Sequence, residues 1–574
     1  MINLFTKPEL FRVIDTYTDL RSLCDTCTLL STLKKYIFNL FNKTYSLMYH
    51  NDISFRNRVL NKIFNPNKQL HLQLSNSGYR ITDLSALGNV HTLDLGDCEI
   101  TDVSMLGNVH TLILGSCKRI TDVSALGNVH DLKLFSCKIT DVSALGNVHT
   151  LDLMYCDEIT DVSMLGNVYD LNLTGCKITD VSALGNVHDL NLRDCDKITD
   201  VSALGNVHTL DLCSCENITD VSMLGNVHTL DLSDCKYITD VSALGNVHTL
   251  NLCSCENITD VSALGNVHTL DLMYCDKITD VSALGNVHTL NLCACKYITD
   301  VSALGNVHTL NLGNCYEITD VSMLGNVYEL DLTGCKITDV SMLGNVHELS
   351  LCDCIITDVS ALGNVHTLNL CACKYITDVS ALGNVHTLNL RVCDNITDVS
   401  ALGNVHTLDL SNCDKITDVS ALGKVHTLNL SFCKITDVSA LGKVHTLNLS
   451  YCYEITDVSA LGNVHTLDLT YCKSITDVSA LGNVHTLNLC DCEITFVSAL
   501  GNVYDLDLKY CENITDVSAL GNVHTLNLMC CKNITDVSML GNVHTLDIRN
   551  CKNITDVSFS AIVRNVHTLK TGWW

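Results

Sequence analysis

Residues 81–98 read ITDLSALGNVHTLDLGDC, and residues 100–117 repeat them as ITDVSMLGNVHTLILGSC. From Ile81 the unit ITDVSALGNVHTLDLxxCxx recurs, with Ile starts at 81, 100, 120, 139, 159 and onward to 554, 25 starts in all. The 24 intervals span 473 residues, seven of 19 and seventeen of 20. A fixed period of this length is the signature of a repeat array whose units bury their apolar faces against one another. Within a unit, Leu93 and Leu95 alternate with Thr92, Asp94 and Gly96. A period of two sends the leucines inward and the others outward, which is a strand. Cys98 turns the chain while burying a small sulfur. Ile100, Val103 and Leu106 supply the inward contacts of the return arm. Asp102 and Ser104 suit the start of a short turn or 3₁₀ segment, and Gly107 suits its end. The arm is too short for a full α-helix. The one-residue difference in interval falls between Cys and Ile, where a surface turn absorbs it. The expected fold is an α/β repeat solenoid, with a parallel β-sheet on one face and 3₁₀ or extended turns on the other.

The spacing of Val90, Leu93, Leu95 and Cys98 fits the pattern LxxLxLxxN/C, with Val in the first Leu place and Cys in the Asn place. On these residues the chain resembles a leucine-rich repeat protein. The unit ITDVSALGNVHTLDL is similar to the internalin type of bacterial repeat, shortened by about two residues. Its turn cysteine resembles the cysteine-containing repeats of eukaryotic F-box proteins. The near identity of the units resembles the repeat proteins of giant viruses.

The first residues read differently. Residues 5–45 show helical spacing, with Leu20, Leu23, Cys27 and Leu30 on one face. The string PELFRVIDTYTDLRSLCDTC, residues 8–27, resembles an F-box, the short helical module that docks on a Skp-type adaptor of a cullin ubiquitin ligase. Pro8, Glu9, Leu10 and Ile14 match its first part, and Leu20, Leu23 and Cys27, with Asp19, match its second. Lys7 stands where the family has Leu, the Ile14-to-Asp19 stretch is about three residues short of the family's, and no Trp follows Cys27. The resemblance implies adaptor binding at these seven positions; a plain helical cap on the first rung is the other reading. The organisation expected is an F-box-like helical module over 1–50, a linker and capping rung over 51–80, and a solenoid of about 25 rungs over 81–574. The capping rung is Leu70-His71-Leu72-Gln73-Leu74. At the far end Trp573-Trp574 follow the last rung, where an open repeat end needs a cover.

Charge marks the same boundary. Residues 1–80 carry 11 Lys+Arg and 5 Asp+Glu; the remainder carries 24 and 58, so a head of +6 meets a body of −34. So acidic a body repels phosphate backbones and suits a basic protein partner or simple solubility. No apolar run approaches the roughly 18 residues of a membrane span, and the N-terminus lacks the pattern of a secretory signal. The expected setting is intracellular, with reduced thiols. No cofactor motif is present.

Three columns offer chemistry. Twenty-two of the 24 histidines, His91 to His567, share one repeat position, with Tyr169, Tyr328 and Tyr504 in three other rungs. Stacked imidazoles could bind transition metals or sense pH, but a metal needs a closed ligand set and duplication explains a row. Twenty-four cysteines, Cys98 to Cys551, share the turn position, and others such as Cys213, Cys253 and Cys352 form C-x-C pairs with them. Buried thiols are the simpler reading, zinc the alternative. The Asp of ITD, broken only by Phe496, suits turn capping. The same Ser, His and Asp stand in nearly every rung, so no catalytic set is singled out, and the expectation is a binding scaffold and not an enzyme. Copies differ most in the two residues before Cys. Of these, Tyr155, Tyr274, Tyr451, Tyr471 and Tyr510 are the expected partner anchors, because interfaces favour Tyr.

Overall fold

The computed structural model describes residues 39–41, 43–61, 70–75, 81, 83–562 and 566–572. The F-box-like positions Pro8, Glu9, Leu10, Ile14, Leu20, Leu23 and Cys27 lie outside the described residues, as do Trp573 and Trp574. The chain divides into two compact units, Met1–Cys255 and Glu256–Trp574. In the first, strands from Asn39–Phe41 to Thr249–Asn251 pair in parallel and in chain order. In the second, strands from Thr269–Asp271 to Thr568–Lys570 do the same. The register brings like residues together: Thr229 faces Thr249, Leu230 faces Leu250, and Asp231 faces Asn251. Every repeat position therefore becomes a column.

The rung that starts at Ile100 shows why the sequence folds this way. Ile100, Val103, Leu106, Val109, Leu112, Leu114 and Cys117 are at most 3% exposed. Each fully buried aliphatic side chain stabilises by roughly 1.5–3 kcal/mol, so seven inward residues in about twenty hold a rung that contains little regular structure. The strand is only Thr111–Ile113. The return arm carries a single 3₁₀ turn, Ser104–Leu106, in which the Leu106 N–H donates to the Val103 carbonyl at 3.0 Å. Asp102 Oδ1 accepts the Ser104 N–H at 2.9 Å, so the ITD aspartate caps the turn as its position suggested.

Gly107 does end that turn, but in right-handed backbone (φ −63°, ψ −10°). A left-handed cap is not what requires glycine. A Cβ on Gly107 would fall on the Ala125 carbonyl oxygen of the next rung, and one on Gly205 would fall on that of Met223. Glycine is there because adjacent rungs approach too closely for any side chain.

The left-handed backbone lies elsewhere. The residue before each turn cysteine has φ between 55° and 72° in every rung from Asp97 to Asn550, and only Gly175 and Gly334 among them are glycine. Two hydrogen bonds explain it. The Cys98 N–H closes a turn onto the Leu95 carbonyl at 3.2 Å, while the Asp97 N–H points outward to the Gly115 carbonyl of the next rung at 2.9 Å. One residue can serve the turn and the ladder only by reversing its φ.

Both ends are elaborated. Helix α1 (Lys43–Asn51) buries Ser46, whose Oγ accepts the Gln73 N–H of the strand Leu70–Gln73 at 2.9 Å. Helix α2 (Ile53–Leu60) is capped by Asp52, which accepts from the Ser54 and Phe55 N–H groups. Helix α3 (Asp556–Ile562) stands where other rungs have a 3₁₀ turn, and its Ser558 hydroxyl donates to Asp536 Oδ1 of the rung before at 2.9 Å.

Two substitutions test this account by chemical denaturation. Gly205→Ala is expected to destabilise by about 1–3 kcal/mol, the usual range for overpacking, although alanine tolerates that φ. Val392, a β-branched residue at φ 60°, is the most strained occupant of the left-handed column. Val392→Asn is expected to stabilise by about 1 kcal/mol.

Candidate functional site

The outward face of the strands is built from four rows. The first is Thr. The second is Asp or Asn, whose Oδ1 accepts the N–H two residues on, as Asp94 does from Gly96 at 3.0 Å. In several rungs where Asn follows Asp, the row is tied laterally: Asn251 donates to Asp231 Oδ2 at 3.0 Å, and Asn291 to Asp271 at 3.0 Å. The third row is the variable residue after the second leucine. The fourth is the left-handed residue, and it holds Tyr155, Tyr274, Tyr451, Tyr471 and Tyr510.

The structure brings some of these tyrosines together and leaves others apart. Tyr451 and Tyr471 stack at 4.7 Å between ring centroids, inclined by 10°. Phe432 continues the stack on the other side of Tyr451, at 4.3 Å and 6°. Tyr453 meets Tyr451 edge-on at 6.3 Å, and the Lys473 ammonium sits 5.7 Å from the Tyr471 ring centre. Tyr510 is separated from Tyr471 by a rung bearing Asp491, and its ring carries Lys509 at 5.1 Å. Tyr155 and Tyr274 are half exposed, at 50% and 51%. Phe432 was not among the anchors expected from the sequence. The signal was its position, since it occupies the same repeat place as Tyr451 and Tyr471.

The histidine column is a stack. Successive rings from His91 to His248 in the first unit, and from His268 to His567 in the second, lie 4.4–4.9 Å apart and nearly parallel, with Tyr169, Tyr328 and Tyr504 in line. His71 of the capping rung joins it, tilted, at 5.3 Å. Imidazolium rings cannot sit so closely without repulsion. Burial, then the neighbouring His91, pull the His71 pKa down to about 4. His386, His426 and His544 are also lowered, by burial and then by the histidines on either side.

The cysteine column is closed by its own hydrogen bonds. Cys117 Sγ donates to the Leu95 carbonyl of the rung before at 3.2 Å, Cys215 to Leu192 at 3.1 Å and Cys373 to Leu351 at 3.0 Å. Burial pushes the Cys117 thiol from 9.0 up to about 12. Such sulfurs are neither nucleophiles nor ready ligands. Cys253, Cys293, Cys352, Cys371 and Cys490 are only half-buried, and Cys352 and Cys371, in adjacent rungs, share a hydrogen bond. The ITD aspartates are exposed, and Asp102 is held below the usual carboxylate range by its hydrogen bonds from Ser104.

A leucine-rich repeat family model matches residues 89–106 and 424–442. The crystal structure of a TLR13–ssRNA13 complex superposes with a TM-score of 0.54 at 21% identity, covering 86% of this chain and 80% of that one. The chain has the leucine-rich repeat fold. Its repeats also align with the functional domain of InlJ from Listeria monocytogenes, which includes a cysteine ladder (TM-score 0.29, 22% identity, 67% of this chain and 74% of that one). A third alignment is to the ectodomain of the receptor kinase GASSHO1/SCHENGEN3 from Arabidopsis thaliana in complex with Casparian strip integrity factor 2 (TM-score 0.35, 14% identity, 88% and 85%). No curated protein matches by sequence. Among the described residues, no helix is long and apolar enough to cross a membrane.

The lowered histidines and the raised cysteines predict a pH-dependent stability. Below 6.5 an unfolded histidine gains a proton that the lowered histidines of the stack refuse, so stability should fall as pH drops from 6.5 toward 4. Between 9.0 and about 12 an unfolded cysteine loses a proton that a buried one keeps, so stability should also fall as pH rises through that window. Thermal melts from pH 4 to 11 should trace a plateau with both edges; a melting point unchanged from 7 to 5 would contradict the histidine account. In the native protein at pH 8, iodoacetamide should label Cys253, Cys293, Cys352, Cys371 and Cys490 well before Cys117 or Cys215, as read by mass spectrometry.

Proposed function

We propose that this chain is a non-enzymatic protein-binding scaffold. Its strand face holds a basic protein, and its N-terminal segment docks a Skp-type adaptor, so that the repeats present the bound protein to a cullin ubiquitin ligase. The observation that carries the scaffold reading is the stack of Phe432, Tyr451 and Tyr471 on an open, acidic strand face. Aromatic side chains contribute large contact area at small entropic cost and are the usual energetic anchors of interfaces. The trio comes pre-ordered by its own stacking, which lowers the cost of binding. Around it the Asp/Asn row supplies carboxylates and amides that hydrogen-bond lysine and arginine side chains. The same charge argues against carrying over the ssRNA of the TLR13 complex, because a body of −34 repels phosphates. The adaptor reading rests on Pro8, Glu9, Leu10, Ile14, Leu20, Leu23 and Cys27 and on the resemblance of residues 8–27 to an F-box. We place the protein inside the cell, where thiols stay reduced.

Two measurements separate the parts of this reading. The full chain should retain a purified Skp-type adaptor, and Leu20→Glu with Leu23→Glu should abolish retention. If the full chain retains none, the head is a cap and the protein a stand-alone repeat scaffold. For the strand face, Tyr451→Ser with Tyr471→Ser should weaken binding of a basic protein partner by about 2 kcal/mol or more, the scale of an interface hot spot. Tyr274→Ser should change it little. Equal effects from both would remove the trio from the interface.

A further inference from the structure

In nineteen rungs the column histidine is followed by Thr, and its Nδ1 lies 3.1–3.3 Å from that Thr hydroxyl. Each of those nitrogens, His208 Nδ1 included, has a threonine hydroxyl beside it, and a row of such pairs without a carboxylate offers an ion no closed ligand set. Three column histidines are followed by an acid instead: His130 by Asp131, His188 by Asp189 and His347 by Glu348. Each exception has a different outcome. At Asp131 the carboxylate is satisfied, since it accepts from the Thr111 hydroxyl at 3.0 Å and pairs with His130 Nδ1 at 2.8 Å. At His188 and His347 the Nδ1 is buried and has no hydrogen-bond partner.

His188 is the tighter case. Its Nδ1 lies 3.1 Å from Asp189 Oδ1, and the two make no hydrogen bond. His208 of the next rung adds a second imidazole, and ligand atoms of His188, Asp189 and His208 all lie within 4.8 Å of one another. On the other side, Asp170 stands directly opposite Asp189 in the strand register. Like charges placed so across a ladder are destabilising. The substitution of Asp for Thr occurs in both rungs, 170 and 189, and a cation held there would offset the repulsion and give His188 Nδ1 a partner. At His347 the longer Glu348 carboxylate stays 3.9 Å away, so the same tandem there gives a looser set.

We propose that His188, Asp189 and His208 bind a divalent first-row transition ion, zinc being the best match, with the charge of Asp170 in the adjacent rung favouring it. Two imidazole nitrogens and carboxylate oxygens are a ligand set zinc takes in tetrahedral geometry. The site would clamp the rungs that carry Asp189 and His208 to each other and offset the charge that the two aspartates introduce. It belongs to the first unit alone and is independent of the protein-binding reading above.

The test is titration of chelator-washed full-length protein with zinc chloride by calorimetry, with cobalt chloride as a spectroscopic probe of coordination. Wild type should show one ion bound at least about tenfold more tightly than any background uptake by the stacked histidines, with visible cobalt bands of four-coordinate N/O ligation. Asp189→Thr installs the residue found in nineteen rungs, so it should fold normally, as checked by circular dichroism, and lose that tight event. Asp170→Thr should weaken it. Asp131→Thr and Glu348→Thr should leave it intact. A wild-type isotherm with only uniform weak uptake, an isotherm unchanged in Asp189→Thr, or loss of the tight event in Asp131→Thr would each overturn the proposal.

Discussion

One oxygen per rung organises this molecule. The carbonyl of the second strand leucine, Leu95 in the first repeat, accepts the Cys98 N–H of its own rung at 3.2 Å and the Cys117 thiol of the next at 3.2 Å. The first bond turns the chain out of the strand; the second fixes that turn against its neighbour. Both lone pairs are used, which a carbonyl at the centre of an apolar stack requires, because an unmade bond there costs about 1–3 kcal/mol. Cysteine suits the place because it is small, apolar enough to bury and still able to donate weakly. The left-handed residue between leucine and cysteine follows directly, since its N–H must leave the turn and join the ladder.

That residue is also where function has room. The inward positions are held by packing, the glycine by the carbonyl that approaches it, the ITD aspartate by the turn it caps and the histidine by the rings above and below. The left-handed side chain, like the variable residue before it, is held by none of these. It can be Gly175, Ala294, Asp491 or Tyr471 while its backbone stays within a narrow range of φ. Stacking of neighbours then turns variation in three successive rungs, Phe432, Tyr451 and Tyr471, into one surface. Strain at each position is small against the apolar burial of its rung, so the fold tolerates occupants that favour binding over backbone comfort.

The histidine stack shows the opposite economy. Repetition places imidazoles at strand spacing, and a threonine hydroxyl lies beside nearly every Nδ1. Chemistry becomes available only where a copy departs from the pattern. Asp170 and Asp189 are such departures, and they fall in adjacent rungs.

Much of this was legible in the residues. The period, the inward leucines, the short return arm and the capping role of Asp102 follow from spacing and side-chain chemistry, because each depends on contacts within one rung or between identical copies. The likeness of one rung to the next, read in one dimension, already implied columns. What could not be read is what depends on the distance and direction between rungs. Gly107 looked like a helix terminator and is instead a point of backbone approach. Phe432 looked like one variant among many and completes a stack with Tyr451. His71, in a partial repeat, joins the histidine column, and His188 differs from His208 only through the carboxylate beside its Nδ1. The sequence by itself determined that the chain would stack; the tertiary structure decided which atoms meet across the stack. The reason is physical: burial is set by side-chain type and order, whereas hydrogen bonds and ring contacts depend on a few tenths of an ångström that only the assembled rungs define.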